Sequence, residues 1–244
     1  MFQAEREIDR ITEWTKQWFA DNGPRAKAVI GISGGKDSSV CAALLVRALG
    51  TERVVAVLMP DGEQPDIPDS HRLVEHLGLK AMTINIGATT EALKKTLSEQ
   101  VALSEDTRIN IPPRIRMTTL YAVAQSAEGG GRVCNTCNLS EDYIGYSTKY
   151  GDAAGDFSLL SDLTVGEVLK VGEALGLPAE LVHKTPSDGL SGKSDEDKIG
   201  FTYAVLDRYI REGVCEDEEI RKKIDRMHLL NLHKLRTIPG YRQG

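Results

Sequence analysis

The chain has 244 residues, 41% hydrophobic and 27% charged, which supplies enough apolar material for one large α/β domain and too much for a disordered chain. The formal net charge of −6 argues against a nucleic-acid partner, because such affinity rests on phosphate neutralisation by Lys and Arg. No run approaches the roughly 20 apolar residues that cross a bilayer, and the charged start Phe2-Gln3-Ala4-Glu5-Arg6-Glu7 is not a signal peptide, so a cytoplasmic protein with no membrane partner is expected.

Ile8, Ile11, Trp14, Trp18 and Phe19 recur at helical spacing, so an amphipathic helix over 2–21 opens the chain and stops at Asn22-Gly23-Pro24. Ala28 to Ser33 is a short apolar run with the character of a buried strand, and Val40 to Leu49 a helix ending at Gly50. A second strand is predicted over 53–60, a helix over 67–77, a third strand over 81–86, helices over 89–103 and 114–127, and a fourth strand over 131–135. Strands alternating with helices of this length imply an α/β, doubly wound parallel sheet with right-handed crossovers and ligands at the carboxyl ends of its strands. After about residue 140 the strand signal disappears; a Gly/Asp/Ser-rich stretch, a helix over 164–175, a loop over 184–195 and helices over 196–212 and 216–235 follow. One domain spanning 1–244, with a helical C-terminal third, is the simplest organisation.

Of the four cysteines, Cys41, Cys134, Cys137 and Cys215, only Cys134 and Cys137 are close in sequence. A structural zinc site wants four ligands and no second pair exists, so ordinary reduced thiols are expected.

Ser33-Gly34-Gly35-Lys36-Asp37-Ser38 lies between a strand and a helix. Two glycines let the backbone turn tightly and approach a ligand, and the following helix start presents free N–H groups and a positive dipole end to phosphate. Asp37, a carboxylate beside a phosphate site, makes sense if Mg²⁺ bridges the two. The spacing is neither a Walker A nor a Gly-x-Gly-x-x-Gly fingerprint.

This loop resembles the pyrophosphate loop of the N-type ATP pyrophosphatases, which split ATP into AMP and pyrophosphate on an adenine-nucleotide α-hydrolase-like, Rossmann-like sheet. Four further stretches resemble the ammonia-dependent NAD synthetases within that group: Asn110-Ile111-Pro112-Pro113-Arg114-Ile115-Arg116-Met117, expected to open a helix; Asn135-Thr136-Cys137-Asn138-Leu139-Ser140-Glu141; Thr148-Lys149-Tyr150-Gly151-Asp152-Ala153-Ala154-Gly155-Asp156; and the pair Lys184-Thr185-Pro186-Ser187 with His233-Lys234. The resemblance implies that Gly31, Ile32, Ser33, Gly34, Gly35, Lys36, Asp37, Ser38, Thr136 and Ser187 bind ATP. It assigns Arg114, Lys149, Asp156, His233 and Lys234 to deamido-NAD, and Asp37 and Glu141 to Mg²⁺. The family is homodimeric, and Trp14, Trp18 and Phe19 offer one apolar surface for that purpose, although core burial is the commoner fate of such residues. One departure stands out: Val165 falls where many members carry an ATP-binding lysine, which leaves Lys170, Lys184 or Lys193 to serve instead.

The implied reaction adenylates the nicotinate carboxylate of deamido-NAD with ATP, releases pyrophosphate, and lets ammonia attack the acyl carbon. Asp152 is nominated as the base that takes a proton from ammonium. No segment before Ser33 has room for a glutamine-hydrolysing domain, so free ammonia is the expected donor. The rivals are another pyrophosphatase, such as a tRNA sulfur-transferase or a deazaguanine nitrile synthase, and a nucleotide-binding module without turnover.

Overall fold

The structure, a computed structural model, describes residues 2–64, 67–184, 195–236 and 238–241. Its centre is a parallel sheet of β1 (Lys27–Gly31), β2 (Val54–Leu58), β3 (Ala81–Thr83), β4 (Gly131–Asn135) and β5 (Phe157–Ser158), in the order β3-β2-β1-β4-β5. Side chains alternate across each strand, and both faces are apolar: Ala28 and Ile30 of β1 join one core cluster, and Val29 joins the other. β2 repeats this with Val54, Ala56 and Leu58 on the first face and Val57 on the second. A sheet buried on both faces needs helices on both, and the chain supplies them.

On the first face lie α1 (Ala4–Asn22), α2 (Lys36–Leu49), α3 (Ile67–His76) and α7 (Val165–Ala174). The second face is covered by α5 (Glu105–Ser126) through Ile111, Ile115, Met117, Leu120 and Ala124, with α4 (Gly87–Ser98) beside it. A third cluster of Ile144, Val165, Ile199, Phe201, Tyr203, Leu206 and Ile224 joins α6 (Leu139–Ile144), α9 (Asp195–Ile199), α10 (Tyr203–Glu212) and α11 (Glu218–Leu235), while α8 (Ala179–Val182) packs against α2 and α7. Fully burying a Leu or Ile such as Leu44, Leu206 or Ile224 contributes roughly 1.5–3 kcal/mol each. No helix among the described residues is long and apolar enough to cross a membrane.

β3 ends at Thr83 and α4 at Ser98, both short of expectation, and three further differences bear on the site. α5 begins at Glu105, capped by the Ser104 hydroxyl at 3.2 Å from the Thr107 amide, and runs straight through Pro112 and Pro113. Each proline removes an amide donor, but Ile111, Pro112 and Ile115 are buried against the sheet, and this packing carries the helix past the break. The helix expected over 196–212 is split, because Gly200 takes φ +78° and the Thr202 side chain caps a new helix that starts at Tyr203, accepting the Val205 amide. A strand does occur after residue 140: β5, whose two residues are too few to display a period. Trp18 and Phe19 pack into the first core against Phe157, and of the three N-terminal aromatics only Trp14 stays well exposed, at 46%.

Candidate active site

The strand order reverses at β1: β2 and β3 extend to one side of it, β4 and β5 to the other. The crevice outside the carboxyl ends of β1 and β4 is therefore the topological switch point, where open α/β sheets bind ligands. Gly31 ends β1 and Asn135 ends β4, so the phosphate loop and the Thr136–Glu141 segment flank this crevice.

The loop is tied by its own hydroxyls. Ser33 and Ser38 Oγ lie 2.9 Å apart, the Gly35 amide donates to Ser33 Oγ, and Ser38 and Ser39 donate to the Gly35 carbonyl. The Ile32 amide is bonded to the Val57 carbonyl, and its own carbonyl accepts from Ser70 of α3. Gly34 has φ +77°, and a Cβ there would lie 2.8 Å from Asp69 Cβ and 2.9 Å from the Ser70 amide nitrogen. Only glycine fits both the torsion and the space.

Lys36, Asp37 and Glu141 form a compact charged group at the crevice. The Lys36 ammonium, 5% exposed, lies 2.8 Å from Asp37 Oδ2 and 3.8 Å from Glu141 Oε1. Burial alone would depress its pKa, but Asp37, Glu141 and Asp195 outweigh it and hold it at about 12. Burial and then Asp37 push Glu141 up, to about 8, against the opposing pull of Lys36 and the Asn138 amide. Tyr203 lies against the same group, with the Lys36 ammonium 5.9 Å from its ring centre and a buried hydroxyl that has no hydrogen-bond partner among the described residues.

Asn138 connects the two carboxylates. It is fully buried; its Nδ2 donates to Asp37 Oδ1 at 3.0 Å, its Oδ1 accepts the Glu141 amide at 3.0 Å, and its own amide donates to Glu141 Oε2 at 3.4 Å. The last two bonds are a capping box that starts α6. The Asn-x-x-Glu spacing of a capping box was the signal available in the sequence, but the reach to Asp37 was not. No cluster of three or more His, Cys, Asp or Glu side chains suited to a metal occurs among the described residues. Two carboxylates suit Mg²⁺ when phosphate oxygens and water complete its shell, and the partnerless Tyr203 hydroxyl beside them is consistent with a polar ligand there.

The stretch from Gly145 to Asp156 is a folded loop pinned from several sides. Asn135 Nδ2 donates to the carbonyls of Asp152 and Ala154, and Thr148 Oγ1 donates to Asn110 Oδ1 at 2.6 Å. Gly155 lies against Asn135 so closely that a Cβ would come within 2.7 Å of the Asn135 Cβ. Asn135 and Asn110 thus position the loop, and neither was singled out from the sequence. Asp156 accepts the Val133 amide at 2.7 Å and the Tyr121 hydroxyl at 3.3 Å; burial and Asp156 push that phenol up to about 12. Asp152 Oδ1 accepts the Thr148 amide, and burial raises the Asp152 pKa despite the Thr148 bonds and Lys234.

Arg114, exposed, donates from Nε to the Lys149 carbonyl at 3.2 Å, so α5 and this loop are joined; Arg116, on another face, donates to the Met59 carbonyl. The Lys149 ammonium lies over the Tyr150 ring at 5.2 Å. A groove of about 550 Å³ runs beside Tyr121, Tyr150 and Ala154. At the end of α11, Lys234 donates to the Gly145 and Ser147 carbonyls at 2.7 and 3.0 Å, which fastens the helix to the start of the loop, whereas His233 is exposed. Thr136 directly follows β4.

Val165 is 7% exposed and packed with Tyr203 and Leu206, so this position belongs to the core. Lys170 is exposed on α7, and Lys184 pairs at 2.7 Å with Asp69, the residue that abuts Gly34. Ser187 and Lys193 lie outside the described residues. Cys41, Cys134 and Cys137 are buried free thiols, and burial raises the pKa of Cys41 and Cys137, which disfavours the thiolate at both.

The family model described as NAD synthase matches residues 7–243. An NH(3)-dependent NAD(+) synthetase of Thermoplasma acidophilum is 37% identical over 96% of each chain, and that of Pyrococcus furiosus is 34% identical over 97% of this chain and 94% of its own. The solved NMN synthetase of Francisella tularensis superposes with a TM-score of 0.91 at 30% identity, covering all of both chains. With its phosphate loop, carboxylate pair and pinned loop at one switch point, the chain belongs to the NAD synthase family.

Proposed function

We propose that this chain joins ammonia to the nicotinate carboxylate of deamido-NAD, consuming ATP and releasing AMP and pyrophosphate. The observation that carries this reading is the meeting of two ligand-sized loops at the β1–β4 switch point, tied by the Asn138–Asp37 and Asn135–Asp152 hydrogen bonds. A carboxylate is a poor electrophile, and transfer of AMP onto it converts hydroxide-like departure into departure of AMP. The phosphate loop, with its Ser33 and Ser38 hydroxyls and the α2 amides, holds the ATP phosphates, joined by Thr136 and Ser187. Asp37 and Glu141 would hold Mg²⁺, which when bound supplies positive charge to the leaving pyrophosphate.

Arg114, Lys149, Asp156, His233 and Lys234 bind the acceptor in this proposal; Tyr150, next to Lys149, and Tyr121, bonded to Asp156, line the groove of about 550 Å³. Asp152, with its raised pKa, accepts a proton from ammonium as the amine attacks. The names of the relatives support ammonia as donor. We also propose a homodimer, formed through the apolar groove of Val55, Met82, Ile84, Ile115 and Val123 rather than through α1.

A second reading rests on the Francisella tularensis neighbour, an NMN synthetase that fits over the full length of both chains. The amide product NMN corresponds to a mononucleotide acid as acceptor, and the same carboxylate chemistry serves both. Pyrophosphate release from ATP is measured with ammonium and either deamido-NAD or nicotinate mononucleotide. Release that needs ammonium and deamido-NAD supports the first reading; a higher kcat/KM with the mononucleotide supports the second. Release with neither acceptor overturns both.

A further inference from the structure

The position of Lys36 is unusual for a phosphate-loop residue. Its ammonium does not project toward the crevice as a free cation. It is 5% exposed and lies between Asp37 Oδ2, at 2.8 Å, and Glu141 Oε1, at 3.8 Å. These oxygens belong to the two carboxylates that the functional proposal gives to Mg²⁺. An ammonium and a divalent cation cannot occupy the same gap, because at such distances like charges repel strongly even with protein screening. The cation that would come from α7 is missing, since Val165 is built into the core with Tyr203. Lys36 reaches the same neighbourhood, 5.9 Å from the Tyr203 ring centre.

We propose that Lys36 is a resident counter-ion which closes the carboxylate pair when no nucleotide is bound and moves onto the ATP phosphates when the divalent cation enters. The side chain thereby has two partners, one in each state. With Lys36 in the gap, its ammonium already pairs with both carboxylates, and a divalent ion is attracted weakly. When ATP arrives, its phosphates offer Lys36 a better-charged partner, and the carboxylates become available to the metal. Metal and nucleotide binding are then coupled: each favours the other by vacating or filling the same gap. The four-carbon stem and rotatable ammonium of lysine suit such a move, and Asn138 keeps Asp37 in place through Oδ1 while Oδ2 changes partner.

This inference rests on the reading of Asp37 and Glu141 as the metal ligands, and the test separates the two. Mn²⁺ binding is measured by electron paramagnetic resonance on the full chain, with and without a non-hydrolysable ATP analogue. In Lys36→Met, Mn²⁺ affinity without nucleotide is expected to tighten by about tenfold, which is about 1.4 kcal/mol, while the coupling between Mn²⁺ and the analogue shrinks and the KM for ATP rises. A folded Lys36→Met protein with unchanged or weaker nucleotide-free Mn²⁺ binding overturns the proposal. Lys36→Gln, which keeps a donor toward Asp37, replaces it if the methionine variant does not fold, with the same expectation and the same overturning result. Glu141→Gln in the otherwise unaltered chain reports on the underlying reading: if Mn²⁺ binding with the analogue survives it, the ligand assignment fails. If Glu141→Gln abolishes that binding and Lys36→Met does not tighten nucleotide-free Mn²⁺ binding, only the counter-ion role fails.

Discussion

Asn138 Nδ2 donates to Asp37 Oδ1 at 3.0 Å, across 101 residues of sequence, and this bond joins the loop after β1 to the loop after β4. Asn138 has no exposed surface, so its amide has no water to fall back on. Removing one partner of a buried hydrogen bond costs about 1–3 kcal/mol. Asn138→Ala is therefore expected to lower Tm by several degrees and to raise the Mg²⁺ concentration needed for half-maximal pyrophosphate release. Asn138→Asp, which sets a third carboxylate beside Asp37 and Glu141, is expected to impair turnover more than Asn138→Ala does. Equal metal requirements in wild type and both variants would remove the positioning role.

Gly34 yields a prediction of a different kind, based on space. A methyl group at this position meets Asp69 Cβ and the Ser70 amide at 2.8 and 2.9 Å, in a torsion that L-residues avoid. Gly34→Ala is expected to push α3 away from the phosphate loop and to weaken ATP-analogue binding at least tenfold, as isothermal titration would report. Unchanged nucleotide affinity would show that the loop tolerates the shift.

The parts of this site differ in how far the sequence disclosed them, for physical reasons. Ser33–Ser38 was legible because a buried strand, two glycines and a helix start form a local pattern. The Lys149–Asp156 loop was legible because its residue types resemble a family motif. Asn138 and Asn135 were not, since a small amide after a strand reads equally well as a turn or cap, and their partners lie far away in sequence. Pro112 and Pro113 misled for the opposite reason: a local breaker was overruled by burial of Ile111 and Ile115 against the sheet. Val165 was legible as a missing lysine, but its place in the third core cluster required the packing of α9 to α11.

Asp152 is held by the Thr148 amide, and its pKa is raised chiefly by burial. The ionised form is the base, so the fraction able to take a proton grows as pH rises through that raised pKa. In the wild type, amide formation at fixed total ammonium is expected to rise up to that pKa and then level off, although free ammonia keeps rising, because ammonium is the species that Asp152 deprotonates. Asp152→Asn loses the base and is expected to slow amide formation about 10²-fold, with a residual rate that simply tracks the free ammonia concentration. If the variant keeps the full rate across the pH range, Asp152 is not the base, and its part is confined to shaping the loop.

Asp142, next to Glu141 on α6, has its pKa pushed up from 3.8 to about 6 by burial and then by Asp152. A carboxylate whose folded pKa exceeds its unfolded one binds its proton more tightly when folded, so ionisation costs stability. Below pH 4 the group is protonated in both states and contributes nothing. Between about pH 4 and pH 6 the penalty grows, and above pH 6 it is fully present. Asp142→Asn is therefore expected to raise Tm by a few degrees at pH 7.5 and to leave it unchanged near pH 4, as calorimetry at the two pH values would record. An Asp142→Asn protein less stable at pH 7.5 would mean that the carboxylate is stabilised by a cation, and Lys234, beside Asp152, would be the first to examine by a Lys234→Met substitution in the same background.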